Sequence, residues 1–190
     1  GVIDLARSAS ENITAVAGRK SMPVSDVTVC ILDRPRHTDL IAEVRALGAR
    51  IRLIRDGDVS AAIATAITDS PVDVLIGTGG APEGVLAAAA LRALGGELQG
   101  RLVYRDQHDR DRAAGMGLDD LDRILKMDDL AADNVIFAAT GVTDGDFLTG
   151  VRFRANGATT HSVVMRSASG TVRYVTAHHD LSRRRKARDF

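Results

Sequence analysis

Between residues 27 and 104 the sequence alternates short apolar runs with amphipathic segments, and this alternation constrains the fold more than any other feature. The apolar runs are rich in β-branched residues, which is typical of strands buried on both faces. The segments between them carry apolar residues at helical spacing, and two of them end at glycine. The pattern predicts strands at 27–32, 49–54, 72–77 and 100–104, and helices at 39–47, 59–67 and 81–94.

This order of elements, with connections of only a few residues, predicts an α/β fold with a mainly parallel sheet and crossover helices. A β-rich C-terminal section follows, with strands expected at 134–139, 158–165 and 171–176 and a hairpin turn at 167–170. Between the two parts, residues 106–133 are highly charged and predict a polar helical excursion. Its apolar stripe would consist of Leu118, Leu121, Ile124 and Leu125.

Charge and cysteine content exclude several classes of protein. Lys and Arg total 25 and Asp and Glu total 25, and a neutral chain is a poor candidate for binding nucleic acid or an anionic membrane. The single cysteine, Cys30, excludes an intramolecular disulfide, and its place in a predicted strand indicates an inert core residue. No apolar run approaches the ~20 residues that span a bilayer, and no signal peptide is recognisable. We therefore expect a cytoplasmic protein.

Polar residues follow each predicted strand of the alternating part. In an open α/β sheet, ligands bind at the carboxyl ends of the strands. If all four strands are parallel, the loops after them share one edge of the sheet, and that edge carries arginines, carboxylates and a glycine-rich turn. The four loops are residues 33–37, 55–58, 78–84 and 105–106.

The glycine-rich turn, residues 77–83 (GTGGAPE), leads from a strand into the start of a helix. It either binds an anion through its backbone N–H groups or is a tight turn that needs positive φ. It is neither a Walker A loop nor a clean G-x-G-x-x-G.

Glu83, in the first helical turn, either interacts with the helix dipole or binds a hard metal ion. Asp56-Gly57-Asp58 is either a turn with Asp58 as N-cap or a group that accepts hydrogen bonds from sugar hydroxyls.

Other polar residues also have two interpretations. Arg34 and Arg36, on either side of a proline, are either solvated loop residues or a rigid cationic clamp for a phosphate. We expect His37 to cap a helix or to lie at the surface. His178 and His179 are adjacent in a predicted strand and would point to opposite faces, which makes them a poor metal-binding pair.

Several of these segments together resemble the class II fructose-1,6-bisphosphatases of bacteria. They are ILDRPRH, RDGDV, GTGGAPEGVLAAAALR, LQGRL, DNVIFAATGVTDGD and ATTHSVVMRSASGTVR. The resemblance runs from residue 1 to about residue 180, and the occurrence of both GGAPEGV and DNVIFAATGVTDG is specific. It implies hydrolysis of the 1-phosphate of fructose 1,6-bisphosphate to fructose 6-phosphate and phosphate, in gluconeogenesis. It also implies dependence on Mn²⁺ or Mg²⁺ and a sugar phosphatase fold related to the inositol phosphatases.

The resemblance also implies roles for particular residues. The glutamate of GGAPEG is a metal ligand in the family, which here is Glu83. Substrate contacts belong to three segments of the family pattern: the K/R-P-R segment, the D-G-D segment and the glycine before the alanine of GGAPEG. In this sequence they are Arg34, Pro35, Arg36, Asp56, Gly57, Asp58 and Gly80.

Family members are much longer than this chain, and their N-terminal half carries most of the metal-binding carboxylates and a catalytic threonine. We therefore expect no catalytic residue here. The chain begins with Gly1 and not with Met, which agrees with this expectation. Residues 1–180 would be the C-terminal α/β portion of a sugar bisphosphatase, and residues 181–190 would be a basic tail. The expected partners are the N-terminal half and further copies of the protein.

Three other functions stay open. A sedoheptulose 1,7-bisphosphatase would use the same segments, because they bind a phosphate and hydroxyl groups. A non-catalytic sugar-phosphate-binding module would bind without turnover. A nucleotide-binding domain of the Rossmann type is disfavoured, because no clean G-x-G-x-x-G is present and no acidic residue ends the next strand.

Overall fold

The computed structural model describes residues 1–182, so most of the predicted basic tail lies outside the described residues. None of the helices in this part is long and apolar enough to cross a membrane. The helices are Ala9–Lys20 (α1), Thr38–Leu47 (α2), Asp58–Ala64 (α3), Ala81–Leu94 (α4), Gln107–Gly115 (α5) and Met127–Leu130 (α6). The strands are Thr28–Leu32 (β1), Arg50–Ile54 (β2), Val74–Leu75 (β3), Gln99–Gly100 (β4), Leu125–Lys126 (β5), Ile136–Thr140 (β6), Arg152–Arg154 (β7), Gly157–Arg166 (β8) and Thr171–Asp180 (β9).

The alternating part of the sequence forms a three-stranded parallel sheet in the order β2-β1-β3, as its periodicity predicts. The central strand β1 is almost completely buried, because helices and loops cover both of its faces. A cluster that includes Val29, Ile31 and Val44 fills one side of the sheet, together with Ile13 of α1. On the other side Cys30 packs against small residues of α3.

The predicted fourth parallel strand, residues 100–104, is wrong. β4 is only two residues long and pairs antiparallel with β5, apart from the parallel sheet. The following residues alternate between exposed and half-buried side chains, and Val103 is 71% exposed. A strand of a parallel sheet that is covered on both faces would be buried on both faces. Residues 105–106 therefore do not follow a strand of the parallel sheet, and they are not one of the loops at its carboxyl edge.

The charged segment is helical only in part. α5 and α6 confirm the prediction of a polar helical excursion. Leu118, Leu121 and Ile124 lie outside both helices, and Leu125 belongs to β5, so the predicted apolar stripe does not form. Gly117, with φ 87°, follows the end of α5 and changes the direction of the chain, so the helix does not extend to these apolar residues.

The C-terminal section is a four-stranded antiparallel sheet, and the predicted hairpin joins β8 to β9. One face of this sheet packs on α4, where Ala90 and Ala93 meet Phe137, Val163 and Met165. The alanines let the helix and the sheet approach closely. Other alanines of α4 are buried against α3. α4 is therefore the element that joins the parallel and antiparallel parts, and its N-terminus lies in the glycine-rich turn.

Helix α1 and strand β7 were not predicted from the sequence. α1 begins with a capping box, in which the Ser8 hydroxyl accepts from the Glu11 N–H and the Glu11 carboxylate accepts from the Ser8 N–H. The hydrogen bonds that the Glu11 carboxylate accepts from the Ser8 N–H and the Ser8 hydroxyl lower the pKa of Glu11. The S-x-x-E signature was the sequence signal for this helix. β7 is short and fully exposed, so it has no periodicity that a sequence could show.

Cys30 should be unreactive in the folded protein. Its thiol is completely buried, and burial raises its pKa, so the reactive thiolate is scarce. We expect a thiol reagent such as dithionitrobenzoate to modify the native chain very slowly and the urea-unfolded chain at once. Rapid modification of the native chain at a rate independent of urea would contradict this placement of Cys30.

Candidate functional site

Three polar loops lie together at the carboxyl edge of the parallel sheet. They are residues 33–37 after β1, 55–57 after β2 and 76–80 after β3, and each leads into the next helix. Because β1, β2 and β3 are parallel neighbours, their carboxyl ends point to the same edge. The prediction of a shared edge is therefore confirmed for three of the four loops. We call these loops the first, second and third edge loops.

His37 joins the first edge loop to the third. The prediction of a surface residue is wrong, since the imidazole is only 3% exposed. His37 Nδ1 lies 2.7 Å from the carbonyl oxygen of Leu32, and Nε2 lies 2.8 Å from the backbone nitrogen of Thr78. His37 also precedes α2, but its side chain makes no capping hydrogen bond. The cause of its burial is the third loop, which is 41 positions away in the sequence.

The two arginines of the first edge loop hold backbone carbonyls of the other two loops. Arg36 donates from Nε and Nη2 to the carbonyl oxygen of Thr78, at 2.9 and 2.6 Å. Arg34 donates from Nη2 to the carbonyl oxygen of Arg55, at 2.6 Å. Both arginines are exposed, and these hydrogen bonds hold their guanidinium groups across the edge. This arrangement supports the rigid clamp over the interpretation as solvated loop residues.

The carboxylates of Asp58 and Glu83, in the first turns of α3 and α4, approach the glycine-rich turn. A Cβ on Gly79 would lie 2.7 Å from Asp58 Oδ2, so the Asp58 carboxylate is in direct contact with the turn. A Cβ on Gly80 would lie 2.1 Å from Glu83 Oε2, so the Glu83 carboxylate covers that glycine. Asp58 is the first residue of α3, and the N-cap is Gly57, contrary to the capping alternative. Any larger residue at position 80 would displace the Glu83 carboxylate.

The charged groups of this edge are not paired with each other. Within residues 1–182, the ion pairs involve none of Arg34, Arg36, Asp56, Asp58 and Glu83. Unneutralised arginines attract an anion, and unneutralised carboxylates attract a cation or hydroxyl groups. The edge can therefore hold a phosphorylated ligand and a hard metal ion together. Pro35 fixes the backbone between the two arginines.

Position 77 needs a glycine for two reasons, its backbone conformation and the close approach of His37. Its φ is 153°, and a Cβ at this position would lie 3.1 Å from His37 Cε1 and Nε2. We expect Gly77→Ala to displace the imidazole and disorder the third edge loop, with a loss of about 1–3 kcal/mol in the free energy of unfolding. Urea denaturation measures this loss. Gly18→Ala is the matched control, because a Cβ there meets no atom within 4 Å. Equal stability of the two variants would contradict the argument.

A second group of possible metal ligands was not predicted from the sequence. Atoms of Asp106, His108 and Asp109 lie within 4.8 Å of one another at the start of α5. The Asp106 carboxylate accepts from the Asp109 N–H as the N-cap of this helix. The Asp109 carboxylate is paired with Arg105, whose hydrogen bond lowers the pKa of Asp109. Capping and ion pairing account for both carboxylates without a metal ion, whereas the edge carboxylates do not form such a three-ligand group within residues 1–182.

The two histidines near the end of β9 are separate, as predicted. His178 Nδ1 lies 3.0 Å from the Thr159 hydroxyl, and His179 Nε2 lies 3.0 Å from the Thr160 hydroxyl. Adjacent residues of a strand point to opposite faces of the sheet. The pair therefore cannot bind one metal ion.

The loop after β6 is fixed by a carboxylate and links the two main sheets. Asp144 accepts from the Gly150 N–H at 3.0 Å and from Arg152 at 2.7 Å, and these contacts lower the pKa of Asp144. Asp146 in the same loop forms an ion pair with Arg52 of β2. The DNVIFAATGVTDGD segment therefore adds one exposed ion pair between the two parts of the fold that α4 joins.

The fold and the edge loops define an α/β domain whose site suits a phosphorylated ligand and a hard cation. The family described as "Bacterial fructose-1,6-bisphosphatase, glpX-encoded" matches residues 1–179. The chain belongs to this family.

Curated relatives agree with this assignment. The chain is 43% identical over 190 residues to the "D-fructose 1,6-bisphosphatase class 2/sedoheptulose 1,7-bisphosphatase" of Trichodesmium erythraeum, a match that covers 93% of this chain and 55% of the relative. It is 43% identical over 198 residues to the "Fructose-1,6-bisphosphatase 1 class 2" of Escherichia coli, covering 97% of this chain and 59% of the relative. The chain therefore spans little more than half the length of these relatives.

Proposed function

We propose that this chain supplies the substrate-binding loops and one metal ligand of a fructose-1,6-bisphosphatase. The reaction is hydrolysis of the 1-phosphate of fructose 1,6-bisphosphate to fructose 6-phosphate and phosphate, a step of gluconeogenesis in the cytoplasm. The observation that carries the proposal is the meeting of three loops, with unpaired arginines and carboxylates, at one edge of a parallel sheet. The names of the relatives support the choice of substrate.

Each edge loop has a proposed role in holding the sugar bisphosphate. Arg34 and Arg36, with Pro35 between them, would neutralise a phosphate, since guanidinium groups bind phosphate oxygens in a fixed geometry. Asp56 and Asp58, joined by Gly57, would accept hydrogen bonds from the sugar hydroxyls. Gly80, whose missing side chain leaves room for the Glu83 carboxylate, would contact the ligand at the start of α4, where helix N–H groups favour an anion. Together these contacts would hold the sugar and orient its phosphate for in-line attack.

The acidic residues of the edge fit a divalent cation such as Mn²⁺ or Mg²⁺. Hard cations take oxygen ligands, and the exposed Glu83 carboxylate lies over Gly80 without an ionic partner within residues 1–182. A bound ion would polarise a phosphoryl oxygen and lower the pKa of the attacking water. Glu83 would be one of the oxygen ligands of such an ion, and we propose that others come from water, from the substrate phosphate and from the part of the longer relatives that this chain does not span.

The remaining part of the longer protein is the proposed partner of this chain. The antiparallel sheet packs on α4 with one face, while Ile136 and Phe153 on its other face are 70% and 77% exposed. No strand of residues 1–182 pairs with the outer edge of β9. Exposed apolar surface and open strand edges are typical of interfaces. In the proposal, residues 1–180 are the C-terminal portion of an inositol-phosphatase-like fold, which assembles into a homo-oligomer.

Sedoheptulose 1,7-bisphosphate is the second candidate substrate. The relatives from Trichodesmium erythraeum and Acaryochloris marina are named as bisphosphatases of both sugars. The edge loops offer contacts to a phosphate and to hydroxyls, which both sugars have. A competition assay between the two bisphosphates in the complete enzyme distinguishes the candidates through the ratio of their kcat/KM values.

The binding half of the proposal can be tested on this chain by itself. We expect fructose 1,6-bisphosphate to shift amide signals of residues 34–37, 56–58 and 78–83 in ¹H–¹⁵N spectra of the labelled chain. Addition of Mn²⁺ should broaden signals around Glu83 more than those around the Asp106–Asp109 group. NAD is the control ligand, and binding of NAD in the micromolar range would favour a nucleotide-binding domain. Sugar bisphosphate shifts confined to other elements would contradict the proposed site.

A further inference from the structure

The buried imidazole of His37 has no part in the binding roles proposed above, yet it joins two of the three edge loops. Its two ring nitrogens have different partners. Nδ1 faces the carbonyl oxygen of Leu32 at 2.7 Å, and Nε2 faces the N–H of Thr78 at 2.8 Å. Burial keeps water from replacing either contact, since the side chain is 3% exposed.

These partners determine the tautomer of the ring. A carbonyl oxygen only accepts a hydrogen bond, so Nδ1 must carry the proton that is donated to Leu32. A backbone N–H only donates, so Nε2 must be an unprotonated acceptor for Thr78. The imidazole is therefore neutral and in the Nδ1–H form. A proton on Nε2 would place two donors, the ring N–H and the Thr78 N–H, against each other.

Thr78 is held at both of its backbone polar groups by consecutive residues of the first edge loop. His37 accepts from its N–H, and Arg36 donates twice to its carbonyl oxygen. The imidazole also lies against Gly77, where an added Cβ would be 3.1 Å from the ring. The peptide groups that follow Thr78 lead directly to Gly80 and to the helix that carries Glu83.

We propose that His37 is a positioning residue for the third edge loop. It fixes the orientation of the Thr78 amide, and thereby the backbone that presents Gly80 and Glu83 to the bound sugar phosphate and cation. His37 itself lies beneath the loop and contacts neither. The inference rests on the proposed function for the identity of the ligand, whereas the tautomer and the loop contacts are independent of it.

Two conservative variants separate the two hydrogen bonds. In His37→Gln the side-chain amide reaches the place of Nε2 and its oxygen can accept from Thr78. In His37→Asn the shorter amide reaches only the place of Nδ1, so the Thr78 N–H loses its acceptor. Val44→Ala is the control for lost packing, because Val44 is a fully buried residue of α2 in the core of the parallel sheet.

In the enzyme assembled from this chain and the remaining part of the Escherichia coli relative, we expect His37→Asn to raise the KM for fructose 1,6-bisphosphate about tenfold, because the part-buried Thr78 N–H loses its acceptor. His37→Gln should stay within about threefold of the native KM. Val44→Ala should lower the melting temperature and leave KM unchanged. If His37→Asn keeps the native KM, or if KM follows the melting temperature in all three variants, the positioning role is wrong.

A second measurement needs neither activity nor ligand. Long-range ¹H–¹⁵N spectra of the native chain should show a protonated, pyrrole-type Nδ1 and a pyridine-type Nε2 for His37. The Thr78 amide should exchange slowly with solvent in the native chain and in His37→Gln, and faster in His37→Asn. An Nε2–H tautomer, or equal exchange in both variants, would overturn the inference. If the tautomer and exchange are as expected while the assembled enzyme neither binds nor hydrolyses fructose 1,6-bisphosphate, the proposed function fails and the loop-positioning role of His37 stands.

Discussion

Replacing Glu83 by glutamine is expected to reduce phosphate release by the assembled enzyme about a hundredfold or more. The substitution keeps the size of the side chain and removes the negative charge that a divalent cation needs. Loss of one ligand weakens the binding of the ion. It thereby reduces the stabilisation of phosphoryl charge by the ion, which is worth several kcal/mol in metal-dependent hydrolysis. The Mn²⁺ concentration that gives half-maximal activity should rise as well.

The folded state should tolerate this change. Glu83 is exposed, and it has no ionic partner within residues 1–182, so the melting temperature of the chain should shift by no more than a degree or two. Glu97→Gln is the control for the loss of one exposed glutamate charge; unlike Glu83, Glu97 pairs with the N-terminal amine and accepts from the Val2 N–H, so its loss tests stability more severely. Unchanged dependence on Mn²⁺ in Glu83→Gln would remove Glu83 from the metal site.

Arg36→Ala is expected to raise the KM for fructose 1,6-bisphosphate between about tenfold and a hundredfold. The variant loses a charge-assisted contact to phosphate, worth about 1.5–3 kcal/mol, and also the two donors that hold the Thr78 carbonyl. Arg36→Lys should recover only part of the affinity, because an ammonium group cannot bind the Thr78 carbonyl and a phosphate in the same forked geometry.

Arg154→Ala is the control for the loss of one positive charge, since Arg154 is an exposed residue of β7. It should leave the KM unchanged. Steady-state kinetics at several ionic strengths measures all three arginine variants. An Arg36→Ala enzyme with the same KM as Arg154→Ala would show that Arg36 has a structural role only.

The local elements were predictable where the chain itself marks their ends. Residues 81–94 were predicted as a helix, and α4 has these bounds, because Pro82 starts it and Gly95 ends it in the left-handed conformation. The prediction of a fourth parallel strand was wrong, because an apolar run indicates extended backbone but does not identify the strand that pairs with it. Its neighbour is Leu125–Lys126, which follows the charged segment, and only the tertiary fold brings the two together.

The part of the candidate site that follows directly from the ends of the parallel strands was predictable. Parallel strands bring their following loops to one edge, and this reasoning placed Arg34, Arg36, Asp58 and Glu83 on the edge that the structure shows. His37 was misjudged, because its burial depends on the third edge loop and on contacts that span 41 positions. No local pattern contains that information. The roles of these residues toward a ligand remain predictions.

Phosphate release from fructose 1,6-bisphosphate in the presence of Mn²⁺ tests the proposed function most directly. It is measured for this chain by itself, for the part of the Escherichia coli relative that this chain does not span, and for the two combined. We predict no activity in either polypeptide separately and turnover in the mixture, lost again with Glu83→Gln. A mixture that binds the sugar bisphosphate without releasing phosphate would contradict the catalytic role and favour a sugar-phosphate-binding module.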